Sequence, residues 1–170
     1  MREISRIVGF IGAFVLVMSF AACSDDDDLK VEFFLTKNIE IDKCEPVTEF
    51  RYGEDIGFIL RVWNTSDENI DIGEDRDIIG NDVFTVYKEN GEEVGRPWEK
   101  WGTTFEWIMA LNAGDFKQWY AVWKGVTTRS MVFFTNEDNE PLPVGSYYSR
   151  FTIHLPDRDV TCLQRFSVIP

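Results

Sequence analysis

Seven consecutive residues, Gly57-Phe58-Ile59-Leu60-Arg61-Val62-Trp63, constrain the fold of this chain more than any other stretch. Phe58, Leu60 and Val62 fall on one side of an extended backbone and Ile59, Arg61 and Trp63 on the other. That is the period of two that a pleat imposes and a helix cannot satisfy. Turn chemistry closes the stretch at both ends. Tyr52-Gly53-Glu54-Asp55 precedes it, and Asn64-Thr65-Ser66-Asp67-Glu68-Asn69 follows it with short polar side chains that bond their own backbone. Asn64-Thr65-Ser66 also fits the N-glycosylation sequon and is read only as a turn.

The same grammar recurs along the chain. Residues 31–36 are β-rich, a second short run occupies 39–42, and 49–51 continue an edge. Residues 82–88 read as a strand leading to Asn90-Gly91, a pair that tolerates the positive φ of a type I′ hairpin turn, with Glu93-Val94-Gly95 returning. After the turn Leu111-Asn112-Ala113-Gly114-Asp115, residues 116–123 form a strong strand with Trp119, Ala121 and Trp123 on one side. Residues 131–135 are short and apolar. In 146–155, Tyr147, Phe151, Ile153 and Leu155 oppose Tyr148, Arg150, Thr152 and His154, and 160–169 close the chain as a last strand. No segment keeps a helical period over three turns. Short strands separated by turns roughly every eight to twelve residues predict an all-β fold, an immunoglobulin-like antiparallel β-sandwich of about seven to nine strands.

Ahead of the strands, Arg2 and Arg6 flank the start of an apolar run over residues 7–20. The run falls short of the roughly 20 residues a membrane span needs and suits the apolar part of a signal peptide. Ala21 and Ala22 are small, and Cys23 follows them directly. This resembles the lipobox of bacterial lipoproteins, with Phe20 where that class usually carries Leu. The resemblance implies a signal peptide over 1–22, cleavage before Cys23, and acyl chains on that residue. Several chains on one residue hold a protein on a membrane without a transmembrane helix. Ser24, Asp25, Asp26, Asp27 and Asp28 then set four like charges in a row, a block that repels itself and stays solvated. Residues 23–30 are therefore read as lipidated cysteine and acidic tether, and 31–170 as a single domain. The acidic run also resembles the export signal that sends some lipoproteins of Gram-negative bacteria outward. The expected location is the outer membrane, lipid-anchored and exposed at the cell surface, with a periplasm-facing position as the alternative.

Charge and cysteine usage narrow the partners. The whole chain carries −13, and loss of Arg2, Arg6 and Glu3 with the signal peptide makes it −14. Nucleic-acid binding needs a basic footprint and is excluded by that balance. Six Trp and fourteen Phe indicate a packed core in a chain long enough to bury one. Of the three cysteines, Cys44 and Cys162 remain once Cys23 is acylated, in a compartment where a disulfide persists. They read either as a disulfide closing a loop of about 119 residues, worth roughly 4–5 kcal/mol, or as two buried thiols packed as small apolar groups. No histidine or third thiol accompanies them as zinc ligation requires.

Four motifs stand in a familiar order: Leu60-Arg61-Val62-Trp63-Asn64, Val86-Tyr87-Lys88-Glu89-Asn90-Gly91-Glu92-Glu93-Val94, Leu111-Asn112-Ala113-Gly114-Asp115 and Leu142-Pro143-Val144-Gly145-Ser146-Tyr147. Together with Trp123 they resemble the BsuPI-type bacterial proteinase-inhibitor domain, an immunoglobulin-like sandwich, over about residues 55–155. The resemblance implies the sandwich. Proteinase inhibition follows from the name alone, because no inhibitory loop maps onto these residues and the family's namesake is intracellular.

Little in the chain points to catalysis. His154 is the only histidine and falls on the polar side of its strand, which reads as a surface position. No nucleophile elbow, phosphate loop or dinucleotide fingerprint occurs. Asp67, Glu68, Asp71, Glu74, Asp75, Asp77 and Asp82 offer oxygen ligands, but their spacing matches no EF-hand and Arg76 brings its own counter-charge, so a solvated loop is the reading. Trp98, Trp101 and Trp107 read either as packing or as a stacking platform for a sugar ring. The expected function is a membrane-anchored, non-enzymatic protein-binding or adaptor module, without cofactor or metal, reaching its partner through loops or a sheet edge. A glycan-binding accessory lipoprotein using Trp98, Trp101 and Trp107 is one alternative, and a proteinase inhibitor is the other.

Overall fold

Alternation along each strand becomes two sheets packed face to face. The structure, a computed structural model, describes residues 22–24, 28–37, 44–74, 78–80, 82–97, 108–125 and 140–170. Its strands are β1 (Ala22–Ser24), β2 (Leu29–Thr36), β3 (Glu49–Arg51), β4 (Ile56–Asn64), β5 (Ile70–Glu74) and β6 (Val86–Lys88), then β7 (Glu93–Gly95), β8 (Ile108–Leu111), β9 (Phe116–Trp123), β10 (Gly145–His154) and β11 (Asp159–Ile169). The first sheet has the order β1-β2-β4-β9 and the second β3-β11-β10-β6-β7, while β5 and β8 form a separate ribbon. All pairings are antiparallel except β3 with β11. In immunoglobulin terms β2, β4 and β9 take the places of strands A, B and E, and β6, β10 and β11 those of C, F and G. The expected sandwich is the observed fold, with eleven strands among the described residues where about seven to nine were expected.

The stretch 57–63 lies at the centre of the first sheet. Phe58, Leu60 and Val62 have no exposure, and Val31, Phe33 and Leu35 from β2 and Trp119, Ala121 and Trp123 from β9 join them. The second sheet supplies Val86, Tyr147, Phe151, Ile153, Cys162, Phe166 and Val168. Phe33 meets Phe151 edge-on at 4.8 Å, and Phe84 lies 5.4–5.9 Å from Phe33, Phe58 and Phe151. Aromatic contacts of this kind, edge-to-face for Phe151 with Phe33 and Phe84, add to the burial of the rings themselves.

Tyr147 closes one corner of the sandwich. At the start of β10 its hydroxyl donates to the Pro143 carbonyl at 2.8 Å, the tyrosine corner of immunoglobulin-like domains. Two residues on, where disulfide-bearing members of that class place a cysteine, stands Ser149. It is fully buried, and its Oγ has no hydrogen-bond partner.

Several local expectations are corrected. Residues 82–85 form a turn rather than the start of a strand, with Phe84 at φ 59°. A ring in the left-handed region is strained for a bulky residue, and its place among three other phenylalanines holds it there. The hairpin after β6 is not type I′. Gly91 N donates to Lys88 O, only Gly91 has positive φ, and Lys88 N bonds Glu92 O, which is a type I turn with a glycine bulge. The acidic stretch after residue 67 is not all loop, since Ile70–Glu74 is β5, with Ile72 buried. Strand β2 begins at Leu29, itself 4% exposed, so the domain starts two residues before the expected boundary at 31. The backbone of Ala22–Ser24 pairs with β2, Ala22 opposite Glu32 and Ser24 opposite Val31. At Cys23 and Ser24 the chain thus runs along the sandwich edge instead of standing off it. The expected runs at 39–42 and 131–135 lie outside the described residues.

Candidate functional site

The outer face of the first sheet is organised in three cross-strand rows. Lys30 faces Trp63, which faces Phe116. Glu32 faces Arg61, which faces Gln118, and Phe34 faces Ile59, which faces Tyr120. Successive rows are two residues apart along each strand, roughly 7 Å, so their side chains touch. The middle row is polar and the flanking rows are aromatic.

Direct contacts lock these rows together. Trp63 Nε1 donates to Glu32 Oε2 at 2.9 Å, and Lys30 Nζ lies 3.0 Å from Glu32 Oε1. Arg61 Nε donates to Gln118 Oε1 at 2.6 Å. The Arg61 guanidinium lies 5.2 Å from the Phe34 ring centre and 5.6 Å from that of Phe116. The rings of Trp63 and Phe116 are 4.3 Å apart at 35°. Each cation–ring contact contributes about 0.5–1 kcal/mol at an exposed position. Phe116 nevertheless remains 38% exposed. Ile59 behaves differently: it faces outward, as its parity requires, yet has no exposure, between Phe34 and Tyr120 in its row.

The second sheet's outer face has other chemistry. Tyr87 and Tyr148 stack at 5.2 Å and 18°. Burial, with the Glu93 charge second, raises the Tyr87 phenol above its ordinary range. Beside them are cross-strand pairs, Thr152 with Thr161 at 3.5 Å, His154 Nδ1 with Asp159 Oδ1 at 2.7 Å, and Arg165 with Glu89 at 3.9 Å, and the half-buried Leu163.

The residues singled out from sequence are scattered. His154 is exposed at the end of β10, as its parity implied. Cys23 and Ser24 lie in β1. Asp25, Asp26 and Asp27 are outside the described residues, and the Asp28 carbonyl accepts from Thr65 N at 2.8 Å. Cys162 is buried on β11, and Cys44 is half-buried ahead of β3. Trp98, Trp101 and Trp107 lie outside the described residues, as do Asp75 and Asp77. The Asp71 carboxylate accepts from Gly73 N at 2.9 Å, a bond internal to the β5 bend. Asn64 of the sequon is buried, its amide donating to Glu68 O and Leu111 O and its Oδ1 accepting from Ser66.

Sequence reasoning missed Phe34, Phe116 and Gln118 as parts of one site. The available signal was Arg61 and Trp63 pointing outward from an otherwise apolar strand. Their companions become visible only once the β2–β4 and β4–β9 registers are known. Compared with known proteins, the chain matches no family model and no curated protein.

Proposed function

We propose that this chain is a membrane-anchored, non-enzymatic lipoprotein that binds a protein partner at the cell envelope, an adaptor or binding module. Its anchor is the acylated Cys23, and its contact surface is the outer face of the first sheet. One observation carries the reading: Phe34, Arg61, Trp63 and Phe116 are fixed against one another on a sheet face that leaves Phe116 exposed. Aromatic residues and arginine dominate the energetic centres of protein interfaces, and a pre-fixed patch loses little side-chain entropy on binding.

A sugar ring needs an open aromatic face. Trp63 spends one face on Phe116 and its N–H on Glu32, and the Arg61 guanidinium lies over Phe34 and Phe116. That arrangement favours a protein meeting the patch from the side. The experiment is a photo-crosslinking residue placed at Phe116, compared with one at Thr161 on the opposite sheet, in native envelopes. A protein adduct specific to position 116 and abolished by Arg61→Ala is expected. Equal adducts at both positions, or binding on a glycan array that tracks Trp63 and Phe116, would replace the reading. Intact mass of the purified lipoprotein tests the anchor separately through the acyl mass on Cys23.

A further inference from the structure

We propose that Cys44 and Cys162 are a disulfide pair, tying the segment ahead of β3 to strand β11. Among the described residues a single strand pair, β3 with β11, is parallel. Glu49 stands opposite Ser167, Phe50 opposite Val168 and Arg51 opposite Ile169. Cys44 lies six residues before Phe50, and Cys162 lies six residues before Val168. Because the strands run the same way, stepping back along both moves in one direction and the two cysteines come level.

Burial agrees with this alignment. On β11 the inward positions Val160, Cys162, Phe166 and Val168 are buried. On the partner segment Cys44 and Val47 are half-buried and Phe50 is buried, while Glu45, Pro46, Thr48 and Glu49 are exposed. Inward positions every third residue around a proline mark a polyproline-type extended segment. Six residues at about 3.1 Å each cover about 19 Å, against about 20 Å for six residues of a strand. The segment also sits in the seam between the sheets: Val47 N donates to Leu35 O on β2 at 2.7 Å, and Ser167 N on β11 donates to Thr48 O at 2.9 Å. Neighbouring extended segments about 4.8 Å apart place their Cα atoms within the roughly 4.4–6.8 Å that a disulfide spans.

The chemistry requires an oxidant, a disulfide-bearing thiol oxidoreductase of the envelope. The half-buried Cys44 attacks it as a thiolate, breaking its S–S bond and forming a mixed disulfide. Cys162, as a thiolate, then attacks the Cys44 sulfur and expels the oxidoreductase as a dithiol. The pair gives up two electrons and two protons, and the oxidoreductase disulfide takes up the electrons.

The oxidising compartment rests on the proposed export, so the test has an arm that does not. Full-length protein extracted in detergent is alkylated under denaturing, non-reducing conditions and peptide-mapped, and a Cys44–Cys162 linked peptide is expected. In parallel, fully reduced protein is equilibrated with excess glutathione disulfide. A linked peptide there, with alkylated thiols in the native sample, leaves the pair standing and removes the export reading. Two glutathionylated or unreacted cysteines in that arm overturn the pair. Reduction is expected to lower Tm by about 10 °C in the wild type and to leave Cys44→Ser unchanged. An equal shift in the variant also overturns the proposal.

Discussion

The two sheets turn their outer faces to the surroundings by the same alternation, yet the side chains on those faces are held in different ways. On the first, Arg61 lies over two phenylalanine rings, and Trp63 spends both its ring and its N–H on neighbours. On the second, Tyr87 and Tyr148 stack, and the other contacts are exposed: a threonine pair, a His154–Asp159 pair and an Arg165–Glu89 pair at 3.9 Å. A solvent face needs no organisation, since exposed pairs contribute about 0–1 kcal/mol each. Long side chains ordered against one another on a surface are what the proposed partner contact would draw on. Parity says which residues point out, and cross-strand contact says whether they wait in a fixed arrangement.

The largest effect should blur this contrast. Phe58 packs beneath the first face and touches Phe84 and Phe166, so it belongs to the shared core. Phe58→Ala is expected to lose about 3–5 kcal/mol in urea denaturation, with both faces unfolding in one transition. Two separate transitions would mean that the sheets do not stabilise each other. Next in size is the contrast itself. Trp63→Ala or Arg61→Ala is expected to weaken partner binding about 30-fold, a hot-spot loss near 2 kcal/mol. Arg150→Ala and Thr161→Ala on the other face should stay within about twofold. Titration of the crosslinked partner against the four variants measures both, and equal losses on the two faces would break the comparison.

How much of this was legible depended on range. The inward set of β4, of β9 and of β10 followed from period two, because a pleat leaves no other arrangement. The boundary at Leu29 did not, since four aspartates immediately before it masked a buried leucine. Strands β5 and β8 were missed because each is short and takes its pairing from the other, 34 to 41 residues away. The hairpin at Asn90-Gly91 was placed correctly but typed wrongly: the glycine takes the left-handed position alone. The candidate site suffered most. Lys30, Trp63 and Phe116 share a row only through two registers, and register is a tertiary property that single-strand periodicity does not contain.

Beneath the second face, Tyr147 gives a smaller effect with a definite sign. Burial raises its phenol above the ordinary 10.0, so the folded state holds the neutral form. Its stabilisation is complete below pH 10 and is lost as the pH rises through the folded value, because the unfolded phenol ionises first. Tyr147→Phe should remove that share of the alkaline loss, leaving the share from Tyr87, whose phenol is also raised. At neutral pH it should destabilise by about 1 kcal/mol, because the Pro143 carbonyl loses its donor. Denaturation midpoints at pH 7 and above pH 10 separate the two effects. An unchanged alkaline slope would show that the corner phenol titrates alike in both states.

The smallest effect is the one the comparison most needs to be small. His154 and Asp159 meet at 2.7 Å, but their side chains are 51% and 68% exposed, at the turn end of the β10–β11 hairpin. Water competes for both groups, and the hairpin is held by nine register pairs besides. His154→Ala should therefore change stability by less than about 0.5 kcal/mol and leave partner binding untouched. The first face differs because Arg61 lies against two rings, and removing it strips the support from Phe34 and Phe116 together. If the His154 variant lost binding as Arg61→Ala is expected to, exposure would be a poor guide to which side of this sandwich is prepared. Contact with a partner would then have to extend around the edge through β11.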